Sequence, residues 1–141
     1  MHQNPSDDQI RNLLAEIQTV AMAGASDKPN RPVYGVTEFL QRQGIRCIPV
    51  NPRLAGGEVL GELAYASLHD VPVTIDMVDC FINAQRVEPI VDEAIQIGAR
   101  IIWLQLGVIN EAAAAKATAA GLTIIMDRCP AIEWGRLQPE R

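Results

Sequence analysis

Aromatic residues and cysteines are both scarce in this chain. Only 4% of its 141 residues are Phe, Trp or Tyr, so we expect a core of aliphatic side chains. The three cysteines, Cys47, Cys80 and Cys129, are odd in number and far apart, and only two histidines are present. No Cys-x-x-Cys or Cys/His spacing typical of zinc occurs. These scarcities argue against a disulfide scaffold, predict no metal site and favour a reducing compartment.

A surplus of positive charge is also missing. The chain has 17 acidic and 12 basic residues and a net charge of −5, whereas nucleic-acid binders usually carry a basic surplus. No apolar run approaches the ~18 residues of a membrane span. The N-terminus lacks the charged segment and apolar run of a signal peptide. We therefore expect a cytoplasmic protein that binds neither nucleic acid nor membranes.

The chain instead contains a repeated alternation of two patterns. A short apolar run, often β-branched, is followed by a turn and a segment of helical period that ends at a glycine. The apolar runs predict five strands: Thr19–Ala23, Arg46–Val50, Thr74–Asp79, Arg100–Leu104 and Leu122–Met126. The helical segments begin after Ser6, at Pro32, after Asn83 and after Asn110.

Alternating strands and helices predict the fold class. Strands that are apolar on both faces are typical of a parallel sheet covered by helices on both sides. Right-handed crossovers favour a doubly wound, Rossmann-like α/β fold with five parallel strands in the order 3-2-1-4-5. The length is that of one ordinary domain, so we expect a single domain over residues 1–141. Ligands of such sheets bind at the carboxyl ends of the strands.

The loop after the first predicted strand has the composition of a phosphate cradle. Gly24 permits a sharp turn, Ser26 offers a hydroxyl, and the next helix begins shortly afterwards with unpaired N–H groups. Lys28 and Arg31 add positive charge. The segment is not the Gly-x-Gly-x-x-Gly fingerprint of dinucleotide-binding proteins, because Ser26 and Pro29 replace the later glycines. The alternative is a simple strand–helix turn with solvated charges.

The loop after the second predicted strand differs from that of an NAD site. An NAD enzyme usually has an acidic residue here that accepts the ribose hydroxyls. This chain has Asn51, Pro52 and Arg53 instead. A basic group beside an adenosine ribose suits a phosphorylated ribose, as in NADP or coenzyme A. The alternative is that Asn51 and Pro52 only end the strand and that Arg53 is solvated.

The remaining strand ends each offer one candidate residue. Phe81 follows the third predicted strand and either stacks on a base or packs on the sheet edge. Gln105 follows the fourth, and a buried amide there needs a backbone or ligand partner. Cys129 follows the fifth, where Arg128 lowers its pKa or the thiol simply packs.

Catalytic machinery is hard to find. The chain has neither a Gly-x-Ser-x-Gly elbow nor a Tyr-x-x-x-Lys pair. His69 lies in an irregular stretch outside the strand-end loops, and Asp76 and Asp79 face different ways on one strand. We therefore assign no catalytic residue and favour binding over turnover.

Five segments at the predicted strand ends carry a resemblance to a known family. They are residues 20–27, 50–53, 78–81, 103–107 and 126–130. Together they resemble the small stand-alone CoA-binding proteins, which are similar to the N-terminal domain of the succinyl-CoA synthetase α chain. The resemblance covers residues from about Ile10 to Glu133. It implies a Rossmann-like domain that holds coenzyme A across the strand ends.

The resemblance also implies roles for particular residues. Gly24, Ala25 and Ser26 would meet the phosphates, with Lys28 and Arg31 nearby. Asn51, Pro52 and Arg53 would lie near the adenosine, Phe81, Gln105 and Gly107 would line the slot, and Cys129 would lie at the pantetheine end. Many relatives resemble Phe-Arg after the third strand, whereas this chain has Phe81-Ile82 and lacks that possible phosphate contact.

The leading hypothesis is therefore a non-catalytic carrier, sensor or regulatory domain that binds coenzyme A or an acyl-CoA. Two alternatives stay open. One is an NADP-dependent oxidoreductase that uses the same cradle, against which the missing hydride-transfer residues count. The other is an interaction module without a ligand.

Overall fold

The computed structural model describes residues 1–141 and contains five α-helices and seven β-strands. The helices are α1 (Asp7–Glu16), α2 (Pro32–Arg42), α3 (Val87–Gln96), α4 (Glu111–Ala119) and α5 (Pro130–Leu137). The strands are β1 (Thr19–Ala23), β2 (Arg46–Val50), β3 (Glu58–Val59), β4 (Glu62–Leu63), β5 (Met77–Cys80), β6 (Ile101–Leu104) and β7 (Thr123–Ile125). Short 3₁₀ turns occupy residues 52–54, 68–70 and 84–86.

The predicted helix starts are confirmed where a side chain satisfies the first N–H groups. Ser6 forms a capping box with Gln9 before α1, and Asn110 accepts from Ala113 N before α4. Asn83 caps the 3₁₀ turn 84–86, which leads directly into α3. Helix α5 is not among the predicted helices, because its signal is the single Pro130 in the first turn.

The main sheet confirms the predicted five-stranded, doubly wound parallel architecture. Its order is β2-β1-β5-β6-β7, and every pairing is parallel. The third predicted strand is β5, and it pairs with β1 rather than with β2. It also begins later than predicted, at Met77. The carboxylate of Asp76, just before it, accepts hydrogen bonds from Gln18 N and Thr19 N.

The outer position beside β2 is taken by a segment too short to be recognised as a strand. Tyr65 forms an isolated parallel bridge with Val50, and Asn51 N donates to Tyr65 O. When this segment counts as the third strand, the sheet follows the predicted 3-2-1-4-5 pattern. A single bridge has no apolar period, so the sequence could not reveal it.

Two apolar clusters cover the two faces of the sheet. One face packs against α3 and α4 and includes Cys80 and Leu104. The other packs against α1, α2 and α5 and includes Met22 and the fully buried Trp103. No helix is both long and apolar enough to cross a membrane, and no three His, Cys, Asp or Glu side chains group closely enough to hold a metal ion.

Candidate functional site

A cleft opens where the strand order reverses, between the carboxyl ends of β1 and β5. Gly24 directly follows β1 and has a φ of +82°, a conformation that favours glycine. A Cβ at this position would lie 2.5 Å from Phe81 O, so the two strand-end loops touch through their backbones. This is the position at which doubly wound sheets bind ligands.

The larger part of the cleft, here called the cradle lobe, has a volume of about 750 Å³. Nine of the residues predicted from sequence line it: Gly24, Ala25, Ser26, Lys28, Arg31, Asn51, Arg53, Phe81 and Gln105. Its volume is within the ordinary range of small-molecule sites. Leu106 and Val108 also line the lobe but were not predicted, since they carry no signal other than their position after β6.

The N-terminus of α2 faces this lobe without a side-chain cap. Arg31 is the N-cap residue but makes no capping hydrogen bond, and Pro32 and Val33 of the first turn line the lobe. Ser26 Oγ accepts from Lys28 N at 3.1 Å, which shapes the loop and leaves the hydroxyl proton free. An uncapped helix start with nearby cations suits an anionic ligand.

Asn51 joins the first two strand-end loops. Its Nδ2 donates to Ala25 O at 2.8 Å, and its Oδ1 accepts from Arg53 N at 3.0 Å. Both polar ends of the side chain are therefore engaged with backbone. Asn51 positions the loops, while the guanidinium of Arg53 is left without a hydrogen-bond partner in the protein.

Gln105 contributes an unsatisfied polar group to the lobe. The residue is 9% exposed, lines the cleft, and its Oε1 is buried without a hydrogen-bond partner. Buried amide oxygens in native proteins are normally paired. The sequence predicted a backbone or ligand partner, and the protein itself supplies none.

A second part of the cleft, here called the arginine lobe, lies on the side of α3 and has a volume of about 440 Å³. Gly24, Asn51, Arg53 and Ile82 line both lobes, so the two lobes adjoin. The floor of the arginine lobe is apolar and includes Val50, Leu68 and Ile90, and Arg86 lies on its wall. Arg86 was not predicted as a site residue, because its only signal is a cation near a helix start.

Unpaired cations gather along this cleft. Of the twelve lysine and arginine side chains, six form ion pairs with acidic groups. Four of the other six line the two lobes: Lys28, Arg31, Arg53 and Arg86. Because the whole chain carries a charge of −5, this group is a local feature that attracts anions.

Three residues predicted from sequence lie elsewhere. Pro52 lines the arginine lobe rather than the cradle lobe. Gly107 lines neither lobe and donates from its N–H to Asp127 Oδ1 at 2.8 Å. Cys129 directly precedes α5 and is buried in the apolar cluster on the face of the sheet that packs against α1, α2 and α5. Arg128 Nη1 donates to Asp127 O.

Three titratable side chains are buried in the sheet outside the cleft. Burial raises the pKa of the Cys47 thiol to about 12, and it raises the pKa of Cys80 still further. Both thiols are therefore unreactive at neutral pH. Burial also raises the pKa of Asp79 well above its usual range, and both of its carboxylate oxygens lack a hydrogen-bond partner.

Comparison with known proteins gives relatives over nearly the whole chain. A family model described as "CoA binding domain" matches residues 18–135. The uncharacterized protein YneT of Bacillus subtilis (strain 168) is 35% identical over 127 residues, which cover 90% of this chain and 93% of YneT. A hypothetical protein from Pyrococcus horikoshii OT3 is 36% identical with a TM-score of 0.90, over 98% of this chain and 99% of that chain.

A larger protein shares the fold alone. The dinucleotide-forming acetyl-coenzyme A synthetase 1 of Ca. Korarchaeum cryptofilum is similar with a TM-score of 0.69 at 19% identity. The likeness covers 82% of this chain and 27% of the synthetase chain. The architecture described above therefore also occurs as one part of a longer protein.

Proposed function

This chain belongs to the CoA-binding domain family, and on that premise we propose that it binds coenzyme A in the cleft at the carboxyl ends of its parallel strands. The observation that carries the proposal is the set of unpaired cations, Lys28, Arg31, Arg53 and Arg86, that line the two adjoining lobes. Coenzyme A is a polyanion, with a diphosphate and a ribose phosphate at one end of the molecule.

The cradle lobe suits the diphosphate. Ser26 can donate its hydroxyl proton, the first N–H groups of α2 have no side-chain cap, and Lys28 and Arg31 have no acidic partner in the fold. Charge-assisted hydrogen bonds from such groups are the strong ones. Asp27 is the single acidic residue in this lobe, so the cations outnumber it.

The apolar wall suits the less polar remainder of the ligand. Phe81 and Val108 line the lobe beside Gln105, whose buried Oε1 has no partner in the protein. The pantetheine arm of coenzyme A carries two amide groups, each of which offers an N–H donor. An amide N–H placed at Gln105 Oε1 would satisfy an oxygen that is otherwise costly to bury.

We assign this chain the role of a carrier, sensor or regulatory domain rather than that of an enzyme. The charged groups of the cradle lobe are one carboxylate, one ammonium and two guanidinium groups. Guanidinium groups remain protonated at neutral pH, so they bind phosphate rather than transfer protons.

Thermal unfolding with added nucleotides tests the proposal. A ligand at about 100 times its Kd stabilises the folded state by about 2.7 kcal/mol, so coenzyme A should raise Tm by several degrees. NAD should leave Tm unchanged. The Lys28→Ala, Arg31→Ala double variant should lose most of the shift, because both cations face the cradle lobe.

Arg42→Ala is the matched control, because Arg42 is exposed, has no acidic partner and lies at the far end of α2. It should keep the wild-type response to coenzyme A. Stabilisation by NADP, with no response to coenzyme A, would contradict the proposal and favour the oxidoreductase alternative. Mass spectrometry of the natively purified protein provides an independent check for a bound nucleotide.

A further inference from the structure

One turn that lines the cradle lobe is held from outside by a single hydrogen bond. Residues 105–108 form this turn after β6, and Val108 N closes it by donating to Gln105 O at 2.8 Å. Gly107, with a φ of +80°, has the conformation of the third residue of a type II turn. Apart from the closing bond, the only hydrogen bond that joins residues 106–109 to the rest of the chain runs from Gly107 N to Asp127 Oδ1.

Turn 105–108 carries three of the side chains that line the cradle lobe, those of Gln105, Leu106 and Val108. Val108 packs against the apolar cluster on the α3 and α4 face, whereas Leu106 is about half exposed. Gln105 begins the turn, and its buried Oε1 has no hydrogen-bond partner. The place of this oxygen in the lobe therefore depends on the conformation of the turn.

Asp127, which holds the turn, projects from a fixed backbone. It lies two residues after β7 and has a φ of +57°, a conformation that aspartate adopts more readily than most other residues. The next residue is held at both its backbone groups. Arg128 N donates to Leu104 O at 3.4 Å, and Arg128 O accepts from Nε1 of the buried Trp103 at 2.8 Å.

From this arrangement we infer that Asp127 is a positioning residue of the cradle lobe, whose carboxylate fixes turn 105–108, and with it Gln105, for ligand binding. Asp127 lines neither lobe, so it acts through the turn and not by contact with the ligand. The inference rests on the proposed function and adds a residue outside the cleft. An N–H group that donates to a carboxylate makes a charge-assisted hydrogen bond. A turn that is already ordered does not have to be ordered at the expense of the binding free energy.

Two substitutions at Asp127 isolate this hydrogen bond. Asp127→Asn keeps an acceptor oxygen and Asp127→Gly removes it, while both new residues tolerate a positive φ. Both variants remove the same negative charge, so charge cannot explain a difference between them. In titration calorimetry, Asp127→Gly should bind coenzyme A about three- to tenfold more weakly than Asp127→Asn, the range expected for ordering one side chain of a loop. Asp127→Asn should bind nearly as the wild type does.

Hydrogen exchange of the free protein measures the turn without any ligand. The Gly107 amide should exchange about tenfold faster in Asp127→Gly than in Asp127→Asn, because its acceptor is lost. The amide of the fully buried Ile102 on β6 should exchange at the same rate in both variants, which shows that the sheet is intact. Gln138→Gly is the matched control, because Gln138 also has a positive φ, +50°, and lies at the end of α5 outside both lobes. It should keep the wild-type affinity and the wild-type exchange rate at Gly107.

A double-variant cycle with Gln105→Ala tests whether Asp127 acts through the turn. Gln105→Ala removes the unpaired oxygen, so the difference in affinity between Asp127→Asn and Asp127→Gly should decrease in that background. An undiminished difference would overturn positioning through Gln105.

The outcomes separate this inference from the proposed function. Equal coenzyme A affinities of the two Asp127 variants, or equal exchange at Gly107, would overturn the inference while leaving coenzyme A binding intact. If the wild type bound NADP and not coenzyme A, the proposed function would fall, and the same comparison with NADP would decide the role of Asp127. If the wild type bound no nucleotide, both would fall.

Discussion

Asp79 lies in the middle of β5 with both carboxylate oxygens buried and without a hydrogen-bond donor. Its neighbours across the sheet are Met22 on β1 and Trp103 on β6, both fully buried. Because ionising a carboxyl in such surroundings is costly, burial raises its pKa well above the usual value. The folded protein thus retains a proton here that the unfolded chain releases.

The pH dependence of stability should report this proton. The folded pKa is above the unfolded one, so the free energy of unfolding should fall as pH rises above about 4. The loss is about 1.4 kcal/mol for each pH unit between the two pKa values. Asp79→Asn cannot release a proton, so urea unfolding at pH 5 and pH 8 should show a smaller loss in this variant than in the wild type.

Asp76 provides the opposite case on the same segment. Partial burial opposes its ionisation, but hydrogen bonds from Gln18 N and Thr19 N and the charge of Arg100 lower its pKa. Asp76→Asn should therefore lower the free energy of unfolding at pH 7 and abolish the decrease in that free energy that the wild type shows on acidification.

For Asp79, equal dependence of the free energy of unfolding on pH in the wild type and in Asp79→Asn would show that Asp79 is ionised in the folded state.

At the scale of elements, two glycines near the junction of β1 and α2 differ in whether a side chain would fit at their position. Gly24 has a φ of +82° and faces the backbone of Phe81, whereas Gly35 lies exposed on α2 with open space around it. The two positions lie on either side of the loop between β1 and α2. One glycine is required by the approach of two strand ends, and the other weakens a helix.

Two alanine substitutions should separate these roles. Gly24→Ala should lower the free energy of unfolding by about 2 kcal/mol or more, since a positive φ alone costs a non-glycine residue roughly 1–2 kcal/mol. It should also weaken nucleotide binding, because the β1 and β5 loops must move apart. Gly35→Ala should raise stability by about 0.5–1 kcal/mol and leave binding unchanged. Similar urea midpoints for the two variants would contradict this account.

At the scale of the whole molecule, the two ends of the chain are joined on the face of the sheet opposite α3 and α4. Arg136 of α5 makes two hydrogen bonds to Asp7 of α1, and it also pairs with the buried Glu133. Arg141 Nη1 donates to Ile17 O at 2.6 Å just after α1, and its guanidinium lies 5.8 Å from the ring centroid of Trp134. These contacts hold α1 against α5.

Arg141→Ala should loosen this junction. A cation at the end of a helix is worth about 1 kcal/mol when it binds the last carbonyl groups, and Arg141 also donates to Leu14 O and Ala15 O. We expect a decrease in Tm of a few degrees and faster hydrogen exchange at the end of α1. Arg42→Ala also removes a cation at a helix end, that of α2, but Arg42 makes no hydrogen bond to a carbonyl group there. It should therefore change stability by only about 0.5 kcal/mol. An equal effect of the two variants would mean that the Arg141 contacts contribute nothing.

The local sequence determined the elements of this protein and much of the cradle lobe. Helical period, Ser6 and Asn110 as caps, and short apolar runs act over a few residues, so they can be recognised along the chain. The predicted bounds of β1 and β2 agree with the structure. Since loops after parallel strands meet at one edge, Gly24, Lys28 and Gln105 could be placed near one another without coordinates.

Only the tertiary structure decided which elements are neighbours. The position of β5 beside β1 depends on pairing across more than fifty residues, and no local pattern encodes it. That pairing places Arg86 in the same lobe as Arg53 and buries Asp79 between Met22 and Trp103. Likewise, Cys129 directly precedes α5, which was not predicted, and it packs in the apolar cluster on the α1, α2 and α5 face instead of lining the cleft. Contacts between distant segments form because packing buries apolar surface over the whole molecule, and a sequence window does not contain that information.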